Sequence, residues 1–225
     1  IANTVWAYAT VGHFSPELFE KAANIALPRL NEFNSQNIAN MVWAYAVSNL
    51  PSSVEFGSHS ELVRLIVSSL DKFDDKELCQ LHQWNLWGKE RIGKSLLPLN
   101  VSEHCLKVFS SSELSQSRLQ NDVARALCSM GVTFEEEVIL NSGYSIDLLV
   151  SINEKEIAIE VDGPSHFIGK SKKPNGKTRL KRRQIRALDN LDVISVPYWE
   201  WDAIKEMPEG DKLKGQPRYL EKLLG

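Results

Sequence analysis

The segment Ile1-Ala2-Asn3-Thr4-Val5-Trp6-Ala7-Tyr8-Ala9 returns 37 residues later as Ile38-Ala39-Asn40-Met41-Val42-Trp43-Ala44-Tyr45-Ala46, with Thr4 against Met41 the one difference. Self-similarity at a period of roughly 20–50 residues marks helical solenoids. Between the copies, Ser15-Pro16-Glu17 reads as a helix start, with Ser15 as N-cap and Pro16 at the first helical position. Leu18, Ala22, Ile25 and Leu30 then recur near helical spacing. A worn third copy follows an insertion around Pro51 to Ser60. Leu62, Ile66, Leu70 and Phe73 echo the second helix, and Leu78-Cys79-Gln80-Leu81-His82-Gln83-Trp84 echoes the first. Each unit is thus a helix pair that hides its apolar face only by stacking on its neighbours.

Residues 1–110 are therefore expected to be α-helical repeats, the end of a longer array, because Ile1 already sits inside a repeat. Trp6, Tyr8, Trp43 and Tyr45 read as core between repeats rather than as platforms for bases. Asn3 and Asn40 fit either a concave binding surface or local capping.

Beyond a Ser-rich stretch the pattern changes. Glu113 to Met130 reads as an amphipathic helix ended by Gly131. Val132 to Leu140, Tyr144 to Ile152 and Glu156 to Val161 read as strands joined by turns at Asn141-Ser142-Gly143 and Asn153-Glu154-Lys155. A helix from about Thr178 to Asn190, a short strand from Val193 to Val196 and a last helical stretch follow. Residues 111–225 are expected to form a mixed α/β domain.

The net charge of −3 hides an asymmetry. Between Gly169 and Arg186 lie Lys170, Lys172, Lys173, Lys177, Arg179, Lys181, Arg182, Arg183 and Arg186, with no acid. The rest of the chain holds 17 basic and 29 acidic residues. Positive charge packed into one stretch suits a localised polyanion contact, the plain alternative being a solvated loop. Cys79, Cys105 and Cys128 have neither zinc spacing nor an even count, so buried free thiols are expected. No apolar run approaches a membrane span, and no membrane insertion is expected. With neither an initiator Met nor a signal peptide in view, any targeting segment is expected outside this sequence.

Four ordered blocks sharpen the reading: Ser145-Ile146-Asp147-Leu148-Leu149, Ile157-Ala158-Ile159-Glu160-Val161-Asp162-Gly163-Pro164-Ser165-His166-Phe167, Thr178-Arg179-Leu180-Lys181-Arg182-Arg183-Gln184-Ile185 and Val196-Pro197-Tyr198-Trp199-Glu200-Trp201. Together they resemble the RAP domain. The helical units resemble the octotricopeptide-like arrays that precede RAP domains in organellar RNA-processing proteins. The resemblance implies RNA binding in a mitochondrion or plastid. It also implies a fold similar to the restriction-endonuclease-like PD-(D/E)XK nucleases, notably their mismatch-repair branch.

Metal-dependent cleavage of a phosphodiester needs hard oxygen ligands for Mg²⁺ and a positioned water. Asp147 and Glu160 fall on adjacent expected strands, and Glu160 and Asp162 share one strand face. His166 is placed to orient a water or to protonate a leaving oxygen. Asp147, Glu160, Asp162 and His166 are thus the candidate catalytic residues, and the three acids the candidate metal ligands. Nucleases of this fold usually carry Lys two residues after the acidic residue, where this chain has Asp162. Lys181 or Gln184 on the next helix would have to substitute.

The leading expectation is an organellar RNA-binding protein without a required cofactor. It would contact rRNA or mRNA through the nine cations and act in RNA processing, RNA stability or ribosome assembly. One alternative is a metal-dependent endoribonuclease. Another is a structural subunit of an organellar ribosome, with ribonucleoprotein components as partners.

Overall fold

Side-chain caps mark the starts of three helices in the first half. The computed structural model describes residues 1–111 and 117–225. Helix α1 (Ala2–Thr10) leads to Ser15, whose Oγ accepts from the Leu18 amide at 3.4 Å and opens α2 (Pro16–Ala26). Asn34 accepts from the Asn37 amide at 2.8 Å to open α3 (Ser35–Ser48), which ends at Asn49 in the left-handed region (φ 50°). Helices α4 (Pro51–Gly57) and α5 (Ser60–Ser68) follow. Asp74 and Glu77 form a reciprocal capping box on α6 (Asp75–Ile92), and Gly93 at φ 79° ends it. Helix α7 (Leu99–Ser110) packs on α6.

Helices α1, α3 and α6 lie side by side. Asn40 Nδ2 donates to Asn3 Oδ1 at 3.3 Å, and Gln80 Nε2 donates to Asn40 Oδ1 at 3.2 Å. The matching polar position of each copy thus joins a ladder of side-chain amides. The aromatic positions are less equivalent. Trp43 and Tyr45 are buried, whereas Trp6 is 38% exposed and Tyr8 37%. The reason is position: α3 is flanked by α1 and α6, whereas among the described residues α1 has such a neighbour on one side only.

The third copy departs from the pattern because its neighbour is different. Gln83 stands where the earlier copies carry Trp, and it is buried against the C-terminal half. Trp43 Nε1 donates to Gln83 Oε1 (2.9 Å), Gln83 Nε2 to the Tyr144 hydroxyl (2.9 Å), and that hydroxyl to Gln184 Oε1 (2.7 Å). Gln184 Nε2 closes the loop on the Gln83 carbonyl at 2.8 Å. His82 Nε2 lies 2.8 Å from the Ser142 carbonyl oxygen. Most buried polar groups in a fold have a hydrogen-bond partner, and in this network the partners come from both halves.

Among the described residues one sheet forms, with strands in the order β1 (Thr133–Ile139), β2 (Ser145–Ile152), β3 (Lys155–Asp162) and β4 (Asp192–Pro197). The first three make an antiparallel meander, and β4 runs parallel to β3. Helix α8 (Arg118–Ser129), capped by Ser117, precedes the sheet. The expected start of that helix, at Glu113 and Leu114, lies outside the described residues. Helices α10 (Tyr198–Lys205) and α11 (Glu209–Leu224) close the chain. One sheet face meets α8, α10 and α11 through Leu148, Val150, Ile159, Val161, Val123, Leu127, Trp201 and Leu220.

The crossover from β3 to β4 runs through α9 (Gly176–Gln184), which continues as a π turn over Ile185–Asp189. This helix is wedged against the first half. A Cβ on Gly176 would stand 2.2 Å from the Ala9 carbonyl oxygen, so glycine is what permits the approach. Arg183 donates to the carbonyls of Ala46 (2.6 Å) and Val47 (3.2 Å) at the end of α3, and to Glu90 at 2.7 Å. The guanidinium thereby satisfies carbonyls that a helix end leaves without intrahelical partners. All three cysteines are free, but Cys105 alone is buried as expected, Cys79 being half-buried and Cys128 on α8 exposed. Among the described residues no helix is long and apolar enough to cross a membrane.

Candidate functional site

Strand periodicity sets the first part of the site. The antiparallel pairing of β2 with β3 runs as far as Leu148 with Ile159, and Asp147 and Glu160 are the next residues on the two strands. Glu160 and Asp162, two residues apart, share the same face, and Lys181 and Arg182 of α9 meet them there. The three acids therefore come to one side of the sheet, but each is engaged there. Lys181 Nζ lies 2.7 Å from both carboxylate oxygens of Glu160. Burial pushes the Glu160 carboxyl up to about 7, against the pull of Lys181 and with a further push from Asp147. Asp147 accepts from the Val161 amide at 2.6 Å, and burial raises its carboxyl as well. Asp162 is fully buried. Burial alone would raise it, but His166, with Nδ1 at 2.8 Å, together with Arg182 and the Ser195 hydroxyl, holds it below the usual carboxylate range. Among the described residues no group of three His, Cys, Asp or Glu side chains stands ready to hold a metal ion.

Beyond the carboxyl ends of β3 and β4 opens a cleft of about 500 Å³, walled by Gln120, Asp147, His166, Tyr198, Asp202 and Lys205. This is where open α/β sheets usually take ligands. Asp147 and His166 reach it, whereas Glu160 and Asp162 do not line it. The candidate catalytic set is thus split between an open cleft and a closed, charge-paired layer under α9. Glu137 on β1 has a left-handed backbone (φ 55°) and accepts from Gln120 Nε2 at 2.7 Å, beside Asp147. Sequence reasoning missed it. A glutamate in the run Glu135-Glu136-Glu137 looks like solvated strand edge, and positive φ leaves no trace in a non-glycine residue.

Two buried groups make opposing contributions to stability between pH 4.5 and 6.5. The Glu160 carboxyl rises from 4.5 to about 7, so its contribution is full below 4.5 and is lost as pH climbs towards 7. Burial lowers His82 from 6.5 to about 4, so its contribution is full above 6.5 and is lost as pH falls towards 4. Each amounts to up to about 3 kcal/mol. Glu160→Gln should therefore lose stability steeply on acidification from pH 6.5 to 4.5, while His82→Gln should gain it. Urea titrations at stepped pH measure both slopes, and parallel profiles for the two variants would refute the assignment.

Residues 159–212, from the middle of β3 into α11, match the family model of the RAP domain. The chain carries a RAP domain. Over 209 residues it is 27% identical to a RAP domain-containing protein, chloroplastic, of Oryza sativa subsp. japonica, covering 86% of this chain and 30% of that protein. Over 224 residues it is 25% identical to FAST kinase domain-containing protein 3, mitochondrial, of Bos taurus, covering 88% of this chain and 34% of that one. The chain thus spans about a third of the length of these relatives.

The RAP domain holds the whole basic segment, and the structure divides its cations in two. Lys181, Arg182 and Arg183 are half-buried and paired with Glu160, Asp162 and Glu90. Lys170, Lys172, Lys173, Lys177, Arg179 and Arg186 are exposed. The exposed set is anchored rather than carried on an unstructured loop. The Ile168 amide donates to the Lys173 carbonyl at 3.0 Å, Phe167 bridges Pro174, and Asn175 caps α9. Lys172 Nζ stands 5.4 Å from the Trp199 ring centroid, and the Arg179 guanidinium 5.0 Å from that of Phe14.

Proposed function

We propose that this protein binds RNA in a mitochondrion or plastid and acts in RNA processing, RNA stability or ribosome assembly. The observation that carries the reading is the anchored, acid-free set of exposed cations on a RAP domain in an otherwise acidic chain. The chloroplastic and mitochondrial names of the relatives support the compartment. The side-by-side helices and their amide ladder support reading residues 1–110 as the end of an octotricopeptide-like array. The acid-bearing sheet face beneath a crossover helix supports reading 111–225 as a PD-(D/E)XK-type scaffold.

That scaffold does not cut RNA in this reading, because Glu160 and Asp162 are neutralised by Lys181 and Arg182 and withdrawn from the cleft. The test is a titration with single-stranded RNA over a range of salt. Replacing Lys170, Lys172, Lys173 and Lys177 with Gln should weaken binding by roughly tenfold or more and flatten its salt dependence, by about 0.7 in log–log slope for each phosphate that is no longer neutralised. Unchanged affinity and slope would remove these lysines from the interface. Asp147 and His166 lining an open cleft favour the second reading, a Mg²⁺-dependent endoribonuclease. Cleavage that requires Mg²⁺ or Mn²⁺ and disappears in Asp147→Ala and Glu160→Ala would establish it. Co-sedimentation with ribosomal particles would instead support a structural ribosomal role.

A further inference from the structure

Two of the exposed cations, Arg179 and Arg186, belong to a groove built by both halves of the molecule together. Arg179, Arg182, Arg183 and Arg186 follow one another at i, i+3, i+4 and i+7, which puts them on one face of α9 and its continuation. They line a groove of about 710 Å³ whose opposite wall comes from the first half and includes Phe14 and Asn49. Among the described residues no acid lines this groove. Its size falls within the roughly 300–1,000 Å³ of sites that take small organic ligands, so a sugar and its phosphate fit. The arginine stripe runs for about 10 Å, seven residues at 1.5 Å each.

The four arginines are not equally available. Arg182 and Arg183 are spent on Asp162 and Glu90 and hold the groove's floor in place. Arg186 gives one hydrogen bond, at 2.7 Å, to the Val193 carbonyl, and Arg179 lies over the Phe14 ring. A guanidinium has five N–H donors, so both exposed arginines keep donors for a ligand. Their planar forks match phosphate oxygens in pairs, and the aromatic face beside Arg179 offers a base something to stack on.

We infer that this groove seats the phosphodiester backbone of single-stranded RNA, with Arg179 and Arg186 gripping phosphates and Phe14 stacking on a base. The inference rests on the RNA-binding reading above and names the place where it happens. It makes the site composite: α9 supplies the charge, and the loop before α2 supplies the aromatic wall.

The test uses the full chain and an oligouridylate of about 12 nucleotides, within the 4–16 that single-strand sites cover. Arg179→Gln with Arg186→Gln should weaken binding at least about tenfold and reduce the log–log salt slope by about 1.4, two phosphates at about 0.7 each. Phe14→Ala should weaken binding severalfold with the slope unchanged. Lys21→Gln with Lys222→Gln removes the same charge elsewhere and should stay within about twofold of the parent. Thermal melts accompany each variant, and if the double variant melts early, Arg179→Gln alone decides. Parent binding with an unaffected arginine variant overturns the groove and spares the RNA-binding reading. A parent that binds no RNA overturns that reading, and the inference with it. Competition by polyglutamate as effective as by RNA of equal charge would assign the groove to acidic peptides instead.

Discussion

Arg182→Ala is expected to destabilise the fold by about 3–5 kcal/mol, the usual consequence of removing one partner from a buried ion pair. Asp162 is fully buried, and Arg182 bonds both its carboxylate and the Ser195 hydroxyl. Without the guanidinium, that carboxylate keeps only Ser195 and His166, and His166 is a cation only when protonated. Arg182→Met combined with Asp162→Leu should recover most of the loss, because exchanging a buried pair for apolar side chains of similar volume is often close to neutral. Urea denaturation of the single and double variants provides the comparison. A single-variant loss below about 1 kcal/mol would mean that water reaches Asp162 and that the layer under α9 is open.

Trp43→Ala should cost a similar amount, about 3–5 kcal/mol. The side chain is buried, packs near Trp6 with ring centroids 6.4 Å apart, and donates to Gln83. Its loss leaves both a cavity and a buried Gln83 oxygen without its donor. Trp6→Ala, at the matching position of the first copy but 38% exposed, should cost less than about 1 kcal/mol, as surface substitutions usually do. Thermal melts beside RNA titrations decide the matter. If Trp43 stacked on bases instead, its variant would melt normally and bind RNA poorly.

The pair Trp6 and Trp43 shows where sequence reading reaches and where it stops. The repeat identified both as helix positions of one kind, but burial depends on what flanks the helix, and among the described residues α3 lies between α1 and α6 whereas α1 has such a neighbour on one side only. Period-2 alternation was enough to bring Glu160 and Asp162 to one strand face, because strand geometry is local, whereas the place of Asp147 beside them depends on how β2 pairs with β3. Their partners were not legible. Lys181 meets Glu160 and Arg183 meets Glu90 across long stretches of chain, and a run of basic residues carries no mark of which members turn inward. The same holds for Gln83, which looks like decay of the repeat until Tyr144 and Gln184 are seen against it. Glu137 escaped because its backbone angle, not its identity, sets it beside Asp147.

The seating of α9 also limits how such a chain can be recombined. Gly176 rests against the Ala9 carbonyl, and Arg183 takes up the last carbonyls of α3. A chimaera that grafted this C-terminal half onto an unrelated helical array would have to present a carbonyl-rich helix end at the same spot. Otherwise it would strand a half-buried guanidinium with only Glu90's replacement to meet it. Shuffling among homologues should therefore succeed at breakpoints that carry α1, α3, α6 and α9 across together, so that the inherited unit is a joint rather than a detachable cassette.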